Sequence, residues 1–289
     1  MSAQWSAWPA PAKLNLFLHI TGRRADGYHE LQTVFRLLDW GDTVRLRPRA
    51  DGRIVRLGGA AGVAEADDLT VRAAQRLAAW IGPVPGVDIV VEKRIPQGGG
   101  LGGGSSDAAT VLVALNRLWD AGLGEDALAA LGLQLGADVP LFVRGRSAWA
   151  DGVGEQLVAL DLGPAWYVLL DTHCAVPTGP LFAAPELTRD AAKETIPRFL
   201  SGLVSGNAFE RPVRARYPRV AQALDWLGAS ARLSGSGGTV FLETVDRDSA
   251  MAIAARCPQD FTAVVAAGVD ESPLITAVAQ FAAGASPSW

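Results

Sequence analysis

Pro96-Gln97-Gly98-Gly99-Gly100-Leu101-Gly102-Gly103-Gly104-Ser105-Ser106-Asp107 is the stretch on which the reading of this chain turns. It follows a run at 87–92 that predicts a strand, and from Ser105 an apolar-periodic run to about Trp119 predicts a helix. Glycines let backbone N–H groups approach an anion with no Cβ in the way, and the helix that follows adds its positive N-terminal end. Ser105 and Ser106 bring hydroxyls that can donate to a phosphate or ligate magnesium. The physical reading is a phosphate cradle. Walker A fails, because after Gly98 and Gly103 the position that needs lysine is Gly104. G-x-G-x-x-G does match at Gly98, Gly100 and Gly103 and would suggest a dinucleotide site. So glycine-rich a run satisfies many glycine patterns, however, and this one sits behind a proline. A flexible linker is the third reading, although linkers rarely sit tightly between a strand and a helix.

Outward from the cluster, residues 13–20 (KLNLFLHI) alternate, which predicts a half-buried strand. Leu14, Leu16, Leu18 and Ile20 take the buried face, with Lys13, Asn15 and His19 on the other. Residues 24–27 read as a turn, 30–38 as an apolar return, and 43–47 and 54–57 as strands. Asp68 is an N-cap candidate for a helix through Trp80, and 125–135 is a second helix ending at Gly136. After Pro140, residues 141–143 and 147–150 look strand-like, 153–155 is a turn and 166–171 an apolar strand. Helical stretches are expected at 199–209 and 220–227. A second glycine cluster, Gly235-Ser236-Gly237-Gly238, precedes a strand at 239–243, a helix at 248–256 and a last strand at 262–267. Strands and helices mix without strict βαβ alternation, so the fold class is α+β. The 289 residues are read as two domains, 1–155 and 156–289.

Composition removes several classes. At 49% hydrophobic and 19% charged, the chain can build a core and is not disordered. A net charge of −4 argues against a general nucleic-acid binder. No apolar run approaches the roughly 18 residues of a membrane span, and residues 1–12 do not read as a secretory signal. Cys174 and Cys257 form neither a metal pattern nor a disulfide framework, and His19, His29 and His173 make no HExxH site. The expectation is a soluble cytoplasmic protein with no nucleic-acid or membrane partner, monomeric or a weak homodimer. Of 26 Lys+Arg only Lys13, Lys93 and Lys193 are lysines. A lysine kept in such an arginine-rich chain points to a need for a compact ammonium.

Lys13 opens an apolar strand, and Asp138 follows a helix end in Leu135-Gly136-Ala137-Asp138-Val139-Pro140. Each has a plain structural reading, as a solvated charge and a turn former. If both face the cradle, the carboxylate can take a proton from a substrate hydroxyl. The ammonium can orient that carboxylate and neutralise transferring phosphoryl charge.

Five blocks now occur in order: Pro11 to Leu16 (PAKLNL), Thr21 to Thr33 (TGRRADGYHELQT), Pro96 to Ala109, Leu135 to Phe142 (LGADVPLF) and Leu233 to Phe241 (LSGSGGTVF). Together they resemble the GHMP kinase superfamily. TGRRADGYHELQT resembles the branch that phosphorylates 4-diphosphocytidyl-2-C-methyl-D-erythritol in non-mevalonate isoprenoid biosynthesis. The resemblance implies a two-domain α+β fold with the active site in the interdomain cleft. It implies transfer of the ATP γ-phosphate, with Mg2+, to the 2-hydroxyl of that small-molecule substrate. Asp138 is implied as the base and Lys13 as its partner. Pro96, Gly98, Gly99, Gly100, Leu101, Gly102, Gly103, Gly104, Ser105 and Ser106 are implied as the ATP loop. Tyr28 and His29 are implied to hold the cytosine by stacking and hydrogen bonding, with Phe182 as a second aromatic wall. Asn15 and Thr178 are implied as polar substrate contacts, and Gly235, Ser236 and Gly237 as closing the site. Asp68 stands where an adenine-contacting asparagine is expected, and it can accept from the amino group or cap its helix. The magnesium ligands stay unassigned, and His19 is read as structural. Other readings are a GHMP kinase with a different alcohol, such as homoserine kinase, a nucleotide sensor without chemistry, and an NAD-binding oxidoreductase.

Overall fold

A computed structural model describes residues 4–284. Residues 1–3 and 285–289, the outer ends of the two expected domains and Trp289 among them, lie outside the described residues. The chain opens with two long strands, β1 (Ser6–Arg23) and β2 (His29–Pro48), joined by the turn expected at 24–27. There follow β3 (Ile54–Gly58), α1 (Leu69–Ile81), β4 (Val87–Glu92), α2 (Gly103–Leu118), α3 (Glu125–Leu133) and α4 (Val139–Arg144). Next come β5 (Ala148–Asp151), β6 (Gln156–Ala159), β7 (Ala165–Asp171), α5 (Thr178–Phe182), α6 (Ile196–Leu200), α7 (Glu210–Arg216) and α8 (Pro218–Leu227). The chain closes with β8 (Arg232–Leu233), β9 (Thr239–Thr244), α9 (Arg247–Ala254), β10 (Thr262–Val269) and α10 (Pro273–Ala282).

The main path of the mixed sheet runs β3-β4-β2-β10-β7-β9-β8, with β1 on β2 and β5 bridging β2 to β6. Only β3 and β4 pair in parallel; the other strand pairs are antiparallel. The fold is α+β.

β1 is the spine of the molecule. Trp8 and Ala10 enter a cluster with helices α1 to α4; Leu14, Leu16 and Phe17 enter a central cluster with Trp149, Tyr167 and Phe241. Leu18 and Ile20 enter a third cluster built on β7, α7 and α8. A strand that feeds all three cores cannot be half-buried as its alternation suggests. Lys13 and Asn15 are 4% and 2% exposed, so the polar face of β1 turns into the protein and not to water. Register shifts between Pro11 and Lys13 and between Asn15 and Leu18 re-aim these side chains.

Two expected elements are corrected. Residues 141–143 are not a strand. They belong to α4, which has Pro140 in its first turn and ends on Gly145 in the left-handed region. A short apolar run does not distinguish a buried strand from a buried turn of helix, and here the proline starts a helix. Residues 199–209 are not one helix. α6 stops at Leu200, and the chain then runs irregularly to pair Asn207 with Leu18 before α7 begins. β6 and α10 had no expected counterpart. α10 returns to the first cluster, where Phe281 meets Trp8 with ring centroids 5.1 Å apart.

Arg36 on β2 is fully buried. It pairs with Asp270 and donates to the carbonyls of Gly163 and, at 2.8 Å, Gly268. Asp270 also accepts from the N–H groups of Leu162 and Gly163. Removing one member of such a pair strands a buried charge. Asp270→Ala is therefore expected to cost about 3–5 kcal/mol, read as a lower urea midpoint with an unchanged slope.

Candidate active site

The two glycine clusters are laced together by their backbones. Gly238 and Thr239 donate their N–H groups to the carbonyls of Gly98 and Gly99, at 3.2 and 3.1 Å. The Gly100 carbonyl accepts from the Ser234 hydroxyl at 2.9 Å. Gly100 has φ +77°, and a Cβ there would lie 2.0 Å from the Ser234 carbonyl oxygen. No L side chain fits at that crossing. Gly102, with φ +75°, starts α2, and a Cβ on it would strike the Phe142 ring at 2.8 Å and Lys13 Cε at 3.2 Å. The first intrahelical bond here runs from the Ser106 N–H to the Gly102 carbonyl. The amides of Gly103, Gly104 and Ser105 are left to face a ligand at the positive end of a 16-residue helix. They line a cavity of about 430 Å³ with Pro96, Gly98, Gly99, Gly100, Leu101, Gly102, Asp68 and Lys93. Ser106 is fully buried beside it, and its hydroxyl has no partner among the described residues.

Past Gly100 and Gly102 a smaller cavity, about 210 Å³, brings together Lys13, Asn15, Asp138, Thr178, Gly235 and Ser236. Lys13 Nζ donates to Asn15 Oδ1 at 2.5 Å and to the Gly100 carbonyl at 3.0 Å. It lies 3.8 Å from Asp138 Oδ2 and 5.3 Å from the centre of the Phe35 ring. Burial pulls the Lys13 ammonium below its ordinary pKa, and the Asp138 carboxylate works against that pull. Asp138 precedes α4 but does not cap it, so its carboxylate is free of the backbone. Asn15 is held in turn by Nδ2 donating to Thr33 Oγ1 at 2.9 Å. The Thr178 and Ser236 hydroxyls share a hydrogen bond of 2.6 Å across the mouth.

Leu31 and Val153 join this cavity to a third, of about 840 Å³, lined by Arg23, Tyr28, His29, Phe182 and Arg189. The His29 and Phe182 rings stack at 4.7 Å and 14°, and Phe182 meets Phe209 edge-on. Tyr28 is 67% exposed at the rim. His29 Nε2 is buried with no hydrogen-bond partner among the described residues. Burial, then the Arg23 and Arg189 guanidinium charges, hold the His29 imidazole below its ordinary pKa.

Residues 68–146 match the GHMP kinases N terminal domain, and 188–263 match the GHMP kinases C terminal model. The chain is 56% identical over 284 residues to the 4-diphosphocytidyl-2-C-methyl-D-erythritol kinase of Halorhodospira halophila, covering 96% of this chain and 98% of that protein. It is 60% identical to the same-named kinase of Xanthomonas axonopodis pv. citri, with 94% of each chain covered. The chain belongs to the 4-diphosphocytidyl-2-C-methyl-D-erythritol kinase family of GHMP kinases. A crystal structure of 4-(cytidine 5'-diphospho)-2C-methyl-D-erythritol kinase superposes with a TM-score of 0.79 at 34% identity, covering 92% of this chain and 99% of that one. A homoserine kinase from Cytophaga hutchinsonii shares the fold, with a TM-score of 0.63 at 15% identity and coverage of 93% and 95%.

Within this kinase, three charged residues beside the glycine loop were given no role by the sequence: Asp42, Lys93 and Asp107. Lys93 Nζ bonds to Asp42 and, at 2.8 Å, to Asp107. The signal was present, because Lys93 is as rare a lysine as Lys13. Arg189 was missed too, and nothing in its local sequence marks it. It donates to the carbonyls of Phe182 and Ala184, both at 2.7 Å, and so holds the Phe182 turn. Asp68 lines the first cavity, but its carboxylate is engaged. Oδ1 accepts from the Thr70 N–H at 2.8 Å and its hydroxyl at 2.5 Å, and Oδ2 pairs with Arg56 at 2.9 Å. His19 accepts no catalytic neighbour and sits 2.9 Å from the Ser205 carbonyl.

The His29 shift has a sign that can be tested. Its folded pKa lies below the unfolded value, so the unfolded chain binds the proton more readily. His29 then contributes a loss of stability as pH falls below about 6.5. NMR titration is expected to place the His29 midpoint below that value. Arg189→Gln is expected to move the midpoint upward, because it removes one of the two positive neighbours.

Proposed function

We propose that this kinase transfers the ATP γ-phosphoryl group to the 2-hydroxyl of 4-diphosphocytidyl-2-C-methyl-D-erythritol. The observation that carries the reading is the line of three joined cavities. A backbone-lined anion cradle leads to a Lys–Asp chamber, and the chamber leads to an aromatic pocket. That order matches triphosphate, reacting hydroxyl and cytidine.

In this reading the free amides of Gly103, Gly104 and Ser105 hold phosphate oxygens at the start of α2. Asp138 accepts the proton of the attacking hydroxyl, which is tertiary and needs a positioned base. Lys13 sits between the Gly100 carbonyl and Asp138, so it orients the carboxylate and offsets charge on the moving phosphoryl group. Anionic ligands favour its charged form and oppose the effect of burial. Asn15 fixes the ammonium, and Thr33 fixes Asn15. His29 Nε2 offers the base its unused hydrogen-bonding position, while Tyr28 and Phe182 supply ring faces. Gly235, Ser236, Gly237 and Thr178 close the site over the substrate.

Among the described residues there is no cluster of three or more acidic, His or Cys side chains that could hold a metal. This suits a Mg2+ ion that arrives on the nucleotide, held mainly by phosphate oxygens with a serine hydroxyl of the 105–106 pair. The unpartnered Ser106 hydroxyl fits such a role. The ion would supply charge neutralisation on the β- and γ-phosphates. The same reading divides the chain into 1–155, which carries the cradle, and 156–289, which carries Thr178, Phe182 and the second glycine cluster. It places the kinase in the cytoplasm, and no helix among the described residues is long and apolar enough to cross a membrane.

The decisive assay follows phosphoryl transfer to the cytidine-linked alcohol with ATP and magnesium. Asp138→Asn is expected to lower kcat about 10²–10⁴-fold while ATP still binds. Near-normal turnover would remove Asp138 as the base. Lys13→Arg is expected to be inactive, because a planar fork does not fit between Asn15, Gly100 and the Phe35 ring. The homoserine-kinase alternative is separated by Tyr28→Ala and His29→Ala. These variants should raise KM for the cytidine-linked substrate and leave ATP binding intact, whereas a kinase for an amino-acid alcohol would be indifferent to them.

A further inference from the structure

The glycine loop leaves the sheet at Glu92 and re-enters regular structure at Gly103. Both ends are fastened through one lysine, Lys93. Asp42, on β2, is 0% exposed, and its Oδ1 accepts from the N–H groups of Arg94 and Ile95, at 2.5 and 2.7 Å. Both residues lie just past Glu92, the last β4 residue paired with β2. Asp42 Oδ2 takes Lys93 Nζ, and Nζ reaches across to Asp107 Oδ2 in the second turn of α2. Asp107 is itself 4% exposed. The lysine passes where a side chain on Gly103 would be, since a Cβ there would lie 2.9 Å from Ile95 and 3.2 Å from Nζ. Gly103 is therefore required for the brace as well as for the approach of phosphate.

We infer that Lys93 is a positioning residue for ATP: with Asp42 and Asp107 it clamps the entry and exit of the phosphate loop, so that the free amides at the start of α2 stay aimed at one point. The inference rests on the reading of this loop as the ATP site. Geometry supports it independently, because Lys93 stands at the entry of the loop and its ammonium bonds to Asp107 in the helix at the exit. Lysine suits the place better than arginine. Its ammonium is a compact group that can share three donors between two carboxylates beside a glycine, and a guanidinium fork would meet the helix backbone there. A lone buried carboxylate is costly. Asp42 is held by the ammonium and two backbone donors, while burial and the neighbouring Asp42 push the Asp107 carboxyl up to about 7 against the pull of Lys93.

The test measures ATP affinity directly, by titration of a fluorescent ATP analogue, together with the steady-state KM for each substrate and the melting temperature. Asp107→Asn keeps the shape and a hydrogen-bond acceptor but removes the charge. It is expected to weaken ATP about tenfold or more, with the KM of the cytidine-linked alcohol within twofold of wild type and the melting temperature retained. Lys93→Met is expected to do the same more strongly, and Lys93→Arg not to rescue it. Where Lys93→Met does not fold, Asp107→Asn decides alone. Unchanged ATP affinity in a folded Asp107→Asn variant overturns the inference. So does an equal loss for both substrates with a lowered melting temperature, which would mark a purely structural role. If the wild-type chain binds no ATP, the proposed function fails instead, so the two failures are distinguishable.

Discussion

One carbonyl group organises this site. The Gly100 oxygen accepts from the Lys13 ammonium on one side and from the Ser234 hydroxyl on the other. Through it the strand β1, the first glycine loop and the second glycine loop are held at a single point. The close crossing of Gly100 over Ser234 and Gly237 is possible because none of the crossing backbones carries a Cβ there except Ser234, whose hydroxyl is used in the contact. The Gly237 position has the same constraint, since a Cβ would fall 2.1 Å from the Gly100 N. Such contacts cannot slide by small amounts, so the cradle and the chamber beside it have a fixed relative geometry. Positioned charge is of most use to phosphoryl transfer when it does not have to reorganise.

Fixing one crossing also decides which faces of β1 are buried. An alternating strand usually shows one face to water, and the residues 13–20 read that way in isolation. Here the second glycine loop, α4 and β2 cover the other face. Lys13 and Asn15 are thus taken out of solvent and given partners, as buried polar groups must be. The bulges of β1 then let successive side chains serve the apolar clusters and the reacting chamber by turns.

What was legible in the sequence follows from this. The two glycine clusters, Lys13, Asp138 and the Asp68 cap are local signals: each depends on residue type and on its immediate neighbours. β4 was readable to the residue because β-branched apolar residues fill it and Pro96 follows closely. The failures have two causes, a local signal outweighed by apolar character and a contact made far along the chain. Residues 141–143 have the apolar character of a strand, but they are short enough for Pro140 and Gly145 to turn them into helix. Residues 199–209 open with Phe199, Leu200, Leu203 and Val204 at spacings that suit a helix, yet the chain beyond Leu200 is drawn out to pair with β1. α10 is apolar and periodic, and it follows the last strand, where the reading stopped. Lys93 and Arg189 could not be assigned to a task from sequence, because their partners are 51 and 14 residues away in one case and backbone carbonyls in the other.

The charge of the molecule looks at first like an obstacle. A chain with net charge −4 is asked to hold two anionic substrates, and two buried carboxylates, Asp68 and Asp107, line the glycine-loop cavity, with a third, Asp42, bonded to its Lys93. Asp68 pairs with Arg56, whereas Asp42 and Asp107 share Lys93, so three carboxylates face two cations; burial and the neighbouring Asp42 push the Asp107 carboxyl up to about 7, which eases the excess. What remains unmatched at the surface of the cavity is the row of helix N–H dipoles. Lys13 adds one further positive centre beside Asp138. A site of this kind attracts phosphate by local dipoles in a water-poor cleft, where they act more strongly than at the surface. It leaves the outer surface free to be acidic. The carboxylates beside the loop then serve to hold cations and backbone donors in register, and Lys93 and Arg56 offset most of their charge.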